Sequence, residues 1–445
     1  MIHGTTNTTG FSFRTLNYLG SKLRLLDFIE DNVSRITPTG AGVCDLFAGT
    51  GCVSYKLSSH FSVTACDIQQ YSKIICNALL QPNKLTEETA MDFMAKIRKS
   101  ENISLADAFA PLINLEKNAI CNQDLNLLTD IVEHGSLEVF NLEKKESLIS
   151  LAQIKVNDNL KKAEFTNRDS LISSYYGGVY FSYLQAVQID IILSTIRQYS
   201  HSADKDVLLA ALLSTVSDIA YTVGKHFAQP IKAHDSKGNI KTLVYNKAIR
   251  DKTIDVFTLY EEWLIKYVTL QKWRFLNTII KGDFMDCLKM LPDNVKTVYA
   301  DPPYTRDHYS RFYHVLETIA LDDMPEISTV TIHGSTHVSN GIYRKDRHQS
   351  PFCIKSKAPK AFENMFKIVS ASNRNLLLSY SPYDESKSSH PRVVTISQLI
   401  SLASEYFDNV DVVSAGHFSH NKLNSTEHFL ESSDEAEILI VCTNR

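Results

Sequence analysis

A chain of 445 residues, 44% hydrophobic and 22% charged, has the make-up of an ordinary folded protein with room for more than one lobe, which excludes a disordered chain. Its formal charge of −4, from 46 basic and 50 acidic residues, excludes a generally cationic surface, so contacts with nucleic-acid phosphate have to come from local patches. Apolar runs fall far short of the roughly 20 residues of a spanning helix, and Met1-Ile2-His3-Gly4 begins no secretory leader, so no membrane partner is expected.

In chain order, Leu23, Leu26, Ile29 and Val33 recur at helical spacing and predict a helix from Ser21 to about Val33. Val43-Cys44-Asp45-Leu46-Phe47 reads as a short buried strand. It runs into Ala48-Gly49-Thr50-Gly51, whose glycines allow a tight turn and close approach of a ligand. The third glycine of the dinucleotide fingerprint is missing, because Cys52, Val53 and Ser54 follow Gly51; a nucleoside-bearing cofactor fits better than a pyrophosphate. A second strand, Phe61 to Cys66, ends at Asp67, which lies 22 positions beyond Asp45, a spacing that suits a ribose-binding acid. Residues 69–82 predict another helix.

From 83 to about 170 the chain turns polar, with scattered leucines and neither glycine loop nor strand alternation, predicting a helical insertion. Tyr175 to Tyr183 is rich in aromatics and reads as the packed start of a core helix in preference to a surface for a displaced strand. Val207 to Ala220 predicts a further helix. It leads into Gly224-Lys225-His226-Phe227, whose basic and aromatic character suits nucleic acid. Two basic runs stand out: seven Lys/Arg against two acids from Lys225 to Lys252, and six against one from Arg344 to Lys360. Each reads either as a solvated loop or as a DNA surface. The eight cysteines lack CxxC pairs and zinc spacing, so reduced core thiols of a cytoplasmic protein are expected, and no metal.

The sheet resumes at Trp273 to Ile280, followed by Gly282-Asp283, a helix near Phe284 to Leu291 and the strand Val295 to Ala300. That strand delivers Asp301-Pro302-Pro303-Tyr304 at its carboxyl end. The exocyclic amine of adenine is a poor nucleophile, since its lone pair is delocalised into the ring. The Asp301 carboxylate and the Pro302 carbonyl can accept its two N–H groups, with the prolines fixing where that carbonyl points, and Tyr304 can stack on the base. Alone, the tetrapeptide also reads as a rigid Pro-Pro turn. Thr305 to Glu317 is dense in aromatic and basic residues and suits a loop over a flipped base. His308 and His314 find no third metal ligand. Residues 330–359 read as a mobile loop, and strands at 374–380, 409–414 and 436–442 complete an open α/β sheet.

Together, Asn17-Tyr18-Leu19-Gly20-Ser21-Lys22, Asp45 to Gly51, Asp67, Gly282-Asp283-Phe284 and Asp301 to Tyr304 resemble the D12-class, Dam-like DNA adenine methyltransferases of α-type motif order, with a looser echo at Leu376 to Ser381. The resemblance implies a Rossmann-like methyltransferase sheet, residues 11–82 and 273–445, carrying a large helical target-recognition insertion, residues 83–272. It implies S-adenosylmethionine as cofactor, with Lys22 and the Gly20-Ser21 turn near its carboxylate and Asp45 near its ammonium. Asp67 would take the ribose hydroxyls and Asp283 the adenine amine, with Tyr18, Phe47, Ala48, Gly49, Gly51, Ile68 and Phe284 around them. Singly, these aspartates also read as helix caps or turn formers. Tyr18 stands where well-known relatives have tryptophan. Double-stranded DNA is the implied substrate, in a prokaryotic or phage setting; no endonuclease motif is evident, so a stand-alone methylase is expected, any cognate restriction endonuclease being a separate protein. The basic and aromatic runs offer Lys225, His226, Tyr309, Arg311, His314, Arg344 and Arg347 as candidate DNA contacts. N4-cytosine methylation, an RNA or protein-amide methyltransferase, and a catalytically silent DNA-binding protein remain open alternatives.

Overall fold

The computed structural model describes residues 13–99, 103–306, 308–332, 334–381, 392–414 and 437–444. Parts of the expected catalytic lobe, insertion, loop and last strand (11–12, 100–102, 307, 333, 382–391, 415–436 and 445) lie outside the described residues.

Helix α1, Leu26–Ile36, turns Leu26, Ile29 and Val33 inward, as their spacing predicts. Strand β1, Gly42–Asp45, is fully buried and leads through the glycine loop into α2, Cys52–Leu57, then β2, Val63–Asp67, and α3, Gln70–Leu80. Gly51 caps α2 in the left-handed region, φ +71°, where only glycine is unstrained. A Cβ there would meet Leu79 Cδ1 at 2.7 Å and Cys76 Sγ at 3.3 Å, so α3 closes on the loop because that side chain is absent.

The regular elements of the insertion are helices: α4 Glu87–Ile97, α5 Ile103–Cys121, α6 Leu125–His134, α7 Leu137–Glu143, α8 Ser150–Lys162, α9 Leu171–Tyr176, α10 Tyr183–Arg197, α11 Ser202–Ile219, α12 Leu243–Asp251 and α13 Val256–Val268, with an irregular stretch at 226–242 among the described residues. Ser182 starts α10 with a capping box, its hydroxyl taking the Gln185 N–H while Gln185 returns to the Ser182 N–H. Tyr176, Tyr180, Phe181 and Tyr183 are fully buried, which makes the glycine-aromatic run core. α11 packs on α3 and α13, and one apolar core runs from Tyr71 and Ile74 of α3 through the insertion.

The sheet resumes as β3, Thr278–Lys281, shorter than the expected strand from Trp273. After it come α14, Phe284–Lys289, and β4, Val295–Ala300; beyond the tetrapeptide lie α15, Tyr309–Phe312, and α16, His314–Leu321. The expected mobile loop is instead partly ordered. β-Branched Thr329 to Ile332 forms β5 and pairs with β6, Ser335–Val338, across a turn with Gly334 at φ +81°. Helix α17, Ala358–Ala371, then leads to β7, Asn375–Tyr380, α18, Ile396–Ala403, β8, Asn409–Ser414, and β9, Ile438–Thr443.

Seven strands make one sheet in the order β3-β2-β1-β4-β7-β9-β8. The first five run parallel, so β1, β2 and β4 present their carboxyl ends at the same edge, while β9 runs antiparallel between β7 and β8. That edge is where an open α/β sheet offers a ligand crevice. Gly51→Ala should lower the unfolding free energy by about 1–3 kcal/mol, from left-handed strain and the Leu79 contact. A urea midpoint equal to wild type would mean that the loop does not depend on glycine there.

Candidate active site

A cleft with about 1040 Å³ of atom-free space, counting its open mouth, lies at this edge, ample for a small molecule. Tyr18, Gly20 and Lys22 form one wall ahead of α1, and Phe47, Asp67 and Ile68 follow β1 and β2. Asp283 and Phe284 open α14, and Asp301 to Tyr304 leave β4.

The glycine loop and β2 lock together through Asp67. Its Oδ2 accepts the Gly49 N–H at 2.9 Å and its Oδ1 the Gln69 N–H at 2.8 Å. Burial pushes this carboxyl above its ordinary value, and the two N–H donors offset part of the rise. Asp283 caps α14 by accepting the Met285 N–H at 3.0 Å. Phe47 and Phe284 stack with centroids 6.3 Å apart, and Phe352 meets them edge-on at 5.4 and 4.9 Å. Tyr18 lies flat on Tyr313, centroids 4.6 Å apart, and the Leu19 N–H donates to the Tyr313 hydroxyl at 2.8 Å.

Lys22 is nearly sealed from solvent. Its Nζ lies 2.9 Å from Asp301 Oδ2 and 3.2 Å from Glu437 Oε1. Burial favours loss of its proton, but Asp301 and then Glu437 outweigh it and hold the ammonium well above the usual lysine value. Tyr304 is backed by the Arg392 guanidinium, 4.7 Å from the ring centroid, and by Tyr380 at 5.1 Å; burial raises the affinity of its hydroxyl for the proton.

The structure thus brings Tyr18, Gly20, Lys22, Phe47, Asp67, Ile68, Asp283, Phe284 and the tetrapeptide to one cleft. Asp45 is not on its wall. That side chain is buried and its Oδ2 accepts the Ser54 hydroxyl at 2.6 Å. Ala48, Gly49 and Gly51 shape the loop without lining the cleft. Lys22 also departs from expectation, since its ammonium is engaged by two carboxylates.

The expected DNA contacts need larger corrections. His314 sits in the core, its Nε2 3.2 Å from the Phe227 carbonyl, and burial lowers its pKa to about 3, so it carries no charge for phosphate. His226 is buried against Phe312. Lys225 binds Asp251 at 2.9 Å and the Asp218 carbonyl at 2.8 Å, and Arg344 is buried against Asp323 and Asp346. Arg347 is half-buried, its guanidinium 5.0 Å from the Tyr343 ring centroid. Tyr309 lines the cleft and Arg311 is exposed. In the two basic runs, Lys232, Lys237, Lys355 and Lys357 are exposed, while Lys252 is buried on Glu116 at 2.7 Å.

Sequence reasoning missed Glu437 and Arg392, which belong to no motif, and the stretch from His348 to Pro351 together with Cys353, which closes the wall beside Phe284. Phe352, apolar within a polar run, was the available signal for that stretch.

A model of the D12 class N6 adenine-specific DNA methyltransferase family matches residues 18–190 and 225–375. This chain belongs to that family. Among curated relatives, modification methylase LlaI of Lactococcus lactis subsp. lactis is 22% identical, covering 96% of this chain and 54% of that protein. Type II methyltransferase M.FokI of Planomicrobium okeanokoites is 25% identical, over 82% of this chain and 44% of its own length. Type II methyltransferase M.NlaIII of Neisseria lactamica is 24% identical, over 82% and 83%. The chain therefore spans about half the length of the first two relatives.

Within this family site, Asp45 supplies a stability test. Burial pushes its carboxyl up from 3.8 to about 7, with the Ser54 hydrogen bond opposing. The folded state thus keeps a proton that the unfolded chain releases near pH 4. The contribution is fully present below that pH and is lost as pH rises to about 7. Between pH 4 and pH 8 the unfolding free energy of Asp45→Asn should gain on wild type by on the order of 2–4 kcal/mol. Urea titrations giving the same difference at both pH values would show that Asp45 titrates normally.

Proposed function

We propose that this chain methylates the N6 amine of adenine at specific sites in double-stranded DNA, with S-adenosylmethionine as donor. The observation that carries the reading is the Asp301 carboxylate on the cleft wall, aimed by the Lys22 ammonium at 2.9 Å and flanked by Tyr304.

The residues present fit the cofactor. Phe47, Ile68 and Phe284 offer apolar faces for an adenine ring, while Asp67 and Asp283 offer carboxylate acceptors for hydroxyls and an amine. A Cβ at Gly49 would come within 3.3 Å of the Tyr18 hydroxyl, so glycine keeps the loop close to that wall. When bound, this cofactor supplies a sulfonium methyl group, which the amine nitrogen takes as the carbon–sulfur bond breaks. Asp301 and the Pro302 carbonyl accept the two amine N–H groups and draw the lone pair out of conjugation. The proton released from the methylated nitrogen passes to Asp301 or to water.

The Arg392 guanidinium lies 4.7 Å from the Tyr304 ring centroid and holds the ring at the cleft wall, where a base can stack on it. Stacking there, worth roughly 1–3 kcal/mol, offsets much of the few kcal/mol spent in unstacking a nucleotide. Exposed Lys355 and Lys357, just past the cleft-lining stretch, suit phosphate contacts; exposed Arg311 lies beyond the tetrapeptide. A cytoplasmic setting and a separate restriction endonuclease belong to the same reading. Among the described residues no helix is long and apolar enough to cross a membrane.

Asp301→Ala should retain cofactor binding and lose methyl transfer by at least about 100-fold; turnover near wild type would refute the assignment. Lys355→Gln with Lys357→Gln should weaken DNA binding across sequences and flatten the salt slope by about one per lysine. An unaltered slope would move the phosphate path elsewhere.

A further inference from the structure

We infer that Glu437 is a positioning residue for methyl transfer, acting through the Lys22 ammonium to hold the Asp301 carboxylate in its accepting geometry. The inference rests on the adenine-methylation reading and deepens it, since neither the tetrapeptide nor the cofactor motifs reach this position.

Glu437 immediately precedes β9, and its side chain is 1% exposed. β9 pairs antiparallel with β7, which sets Ser379 beside it. The Ser379 hydroxyl donates to Glu437 Oε1 at 2.7 Å, and the same oxygen lies 3.2 Å from Lys22 Nζ. The same ammonium meets Asp301 Oδ2 at 2.9 Å, and the Lys22 side chain is 5% exposed. A carboxylate so deeply buried is costly unless paired and hydrogen-bonded, and its Oε1 is both, through Lys22 and Ser379.

The arrangement has a chemical consequence. A lysine stem has four rotatable carbons, so one ion pair leaves its head free to swing around a carboxylate. Two carboxylates within 3.2 Å fix it, and with it the Oδ2 edge of Asp301. Sharing the ammonium also limits how far Lys22 neutralises Asp301, which has to remain a good hydrogen-bond acceptor. Titratable groups facing Asp301 among the described residues include Asp45, Tyr18, Tyr299, Tyr304 and Tyr309; Glu437 bears on it through the shared ammonium.

Glu437→Gln tests this, because it keeps the shape and the Ser379 hydrogen bond while removing the charge. In single-turnover methylation of duplex DNA by the full chain, the rate constant should fall by roughly tenfold or more, as expected for a displaced reacting group. The dissociation constant for S-adenosylmethionine and the thermal midpoint should stay at wild-type values. The acid limb of the pH–rate profile should move to lower pH, since a like charge near Asp301 has been removed. In a Lys22→Met background the same substitution should change the rate little, because its route to Asp301 is gone. A wild-type rate and pH profile, or a rate loss that only tracks a smaller folded fraction, overturns the inference. Wild-type protein that forms no N6-methyladenine overturns the parent reading instead, a distinguishable result.

Discussion

One buried ammonium ties the catalytic edge together. Lys22 comes from the segment ahead of α1, Asp301 from the end of β4 and Glu437 from the start of β9, three parts of the chain that have no local reason to meet. Their meeting requires β4 and β7 to be parallel neighbours and β9 to return antiparallel alongside β7. Ion pairs this dry demand good geometry on every side, so the last strand is held to its register as firmly as the first. Removing Lys22 leaves two carboxylates without their shared cation, whereas removing either carboxylate leaves a one-to-one pair.

The rest of the cleft follows from parallel strands ending at one edge. β1 supplies the glycine loop, β2 supplies Asp67, and the loop's Gly49 N–H binds that aspartate, so the loop holds a cleft-lining acid in place. The aromatic contact of Tyr18 with Tyr313 joins this floor to the helices after the tetrapeptide. The insertion does not hang from the sheet as a separate bead. Its apolar core is continuous with α3, so whatever the insertion binds is referred mechanically to the helix that follows Asp67.

Much of this was legible in the sequence. β1, β2 and β4 are short apolar runs ending in glycine, aspartate or proline, and such punctuation survives without knowledge of the fold. The aromatic run from Tyr175 to Tyr183 was correctly read as core. Charge was read less well, because a count of lysines and arginines cannot see their partners. Lys225, Lys252 and Arg344 look like a phosphate surface in one dimension and are internal ion pairs in three. Asp45 is ambiguous for a related reason. Its position at a strand end is compatible with facing the cleft or facing α2, and the Ser54 hydroxyl nine residues later decides for α2. Glu437 was invisible, since a lone glutamate before an apolar strand carries no local pattern.

The central claim is that this cleft methylates an adenine amine. Purified chain incubated with duplex DNA and S-adenosylmethionine carrying a labelled methyl group, followed by mass spectrometry of the digested nucleosides, addresses it directly. The account predicts label in N6-methyldeoxyadenosine, lost in the Asp301→Ala variant. Label in N4-methyldeoxycytidine, or no label in any nucleoside, would contradict it.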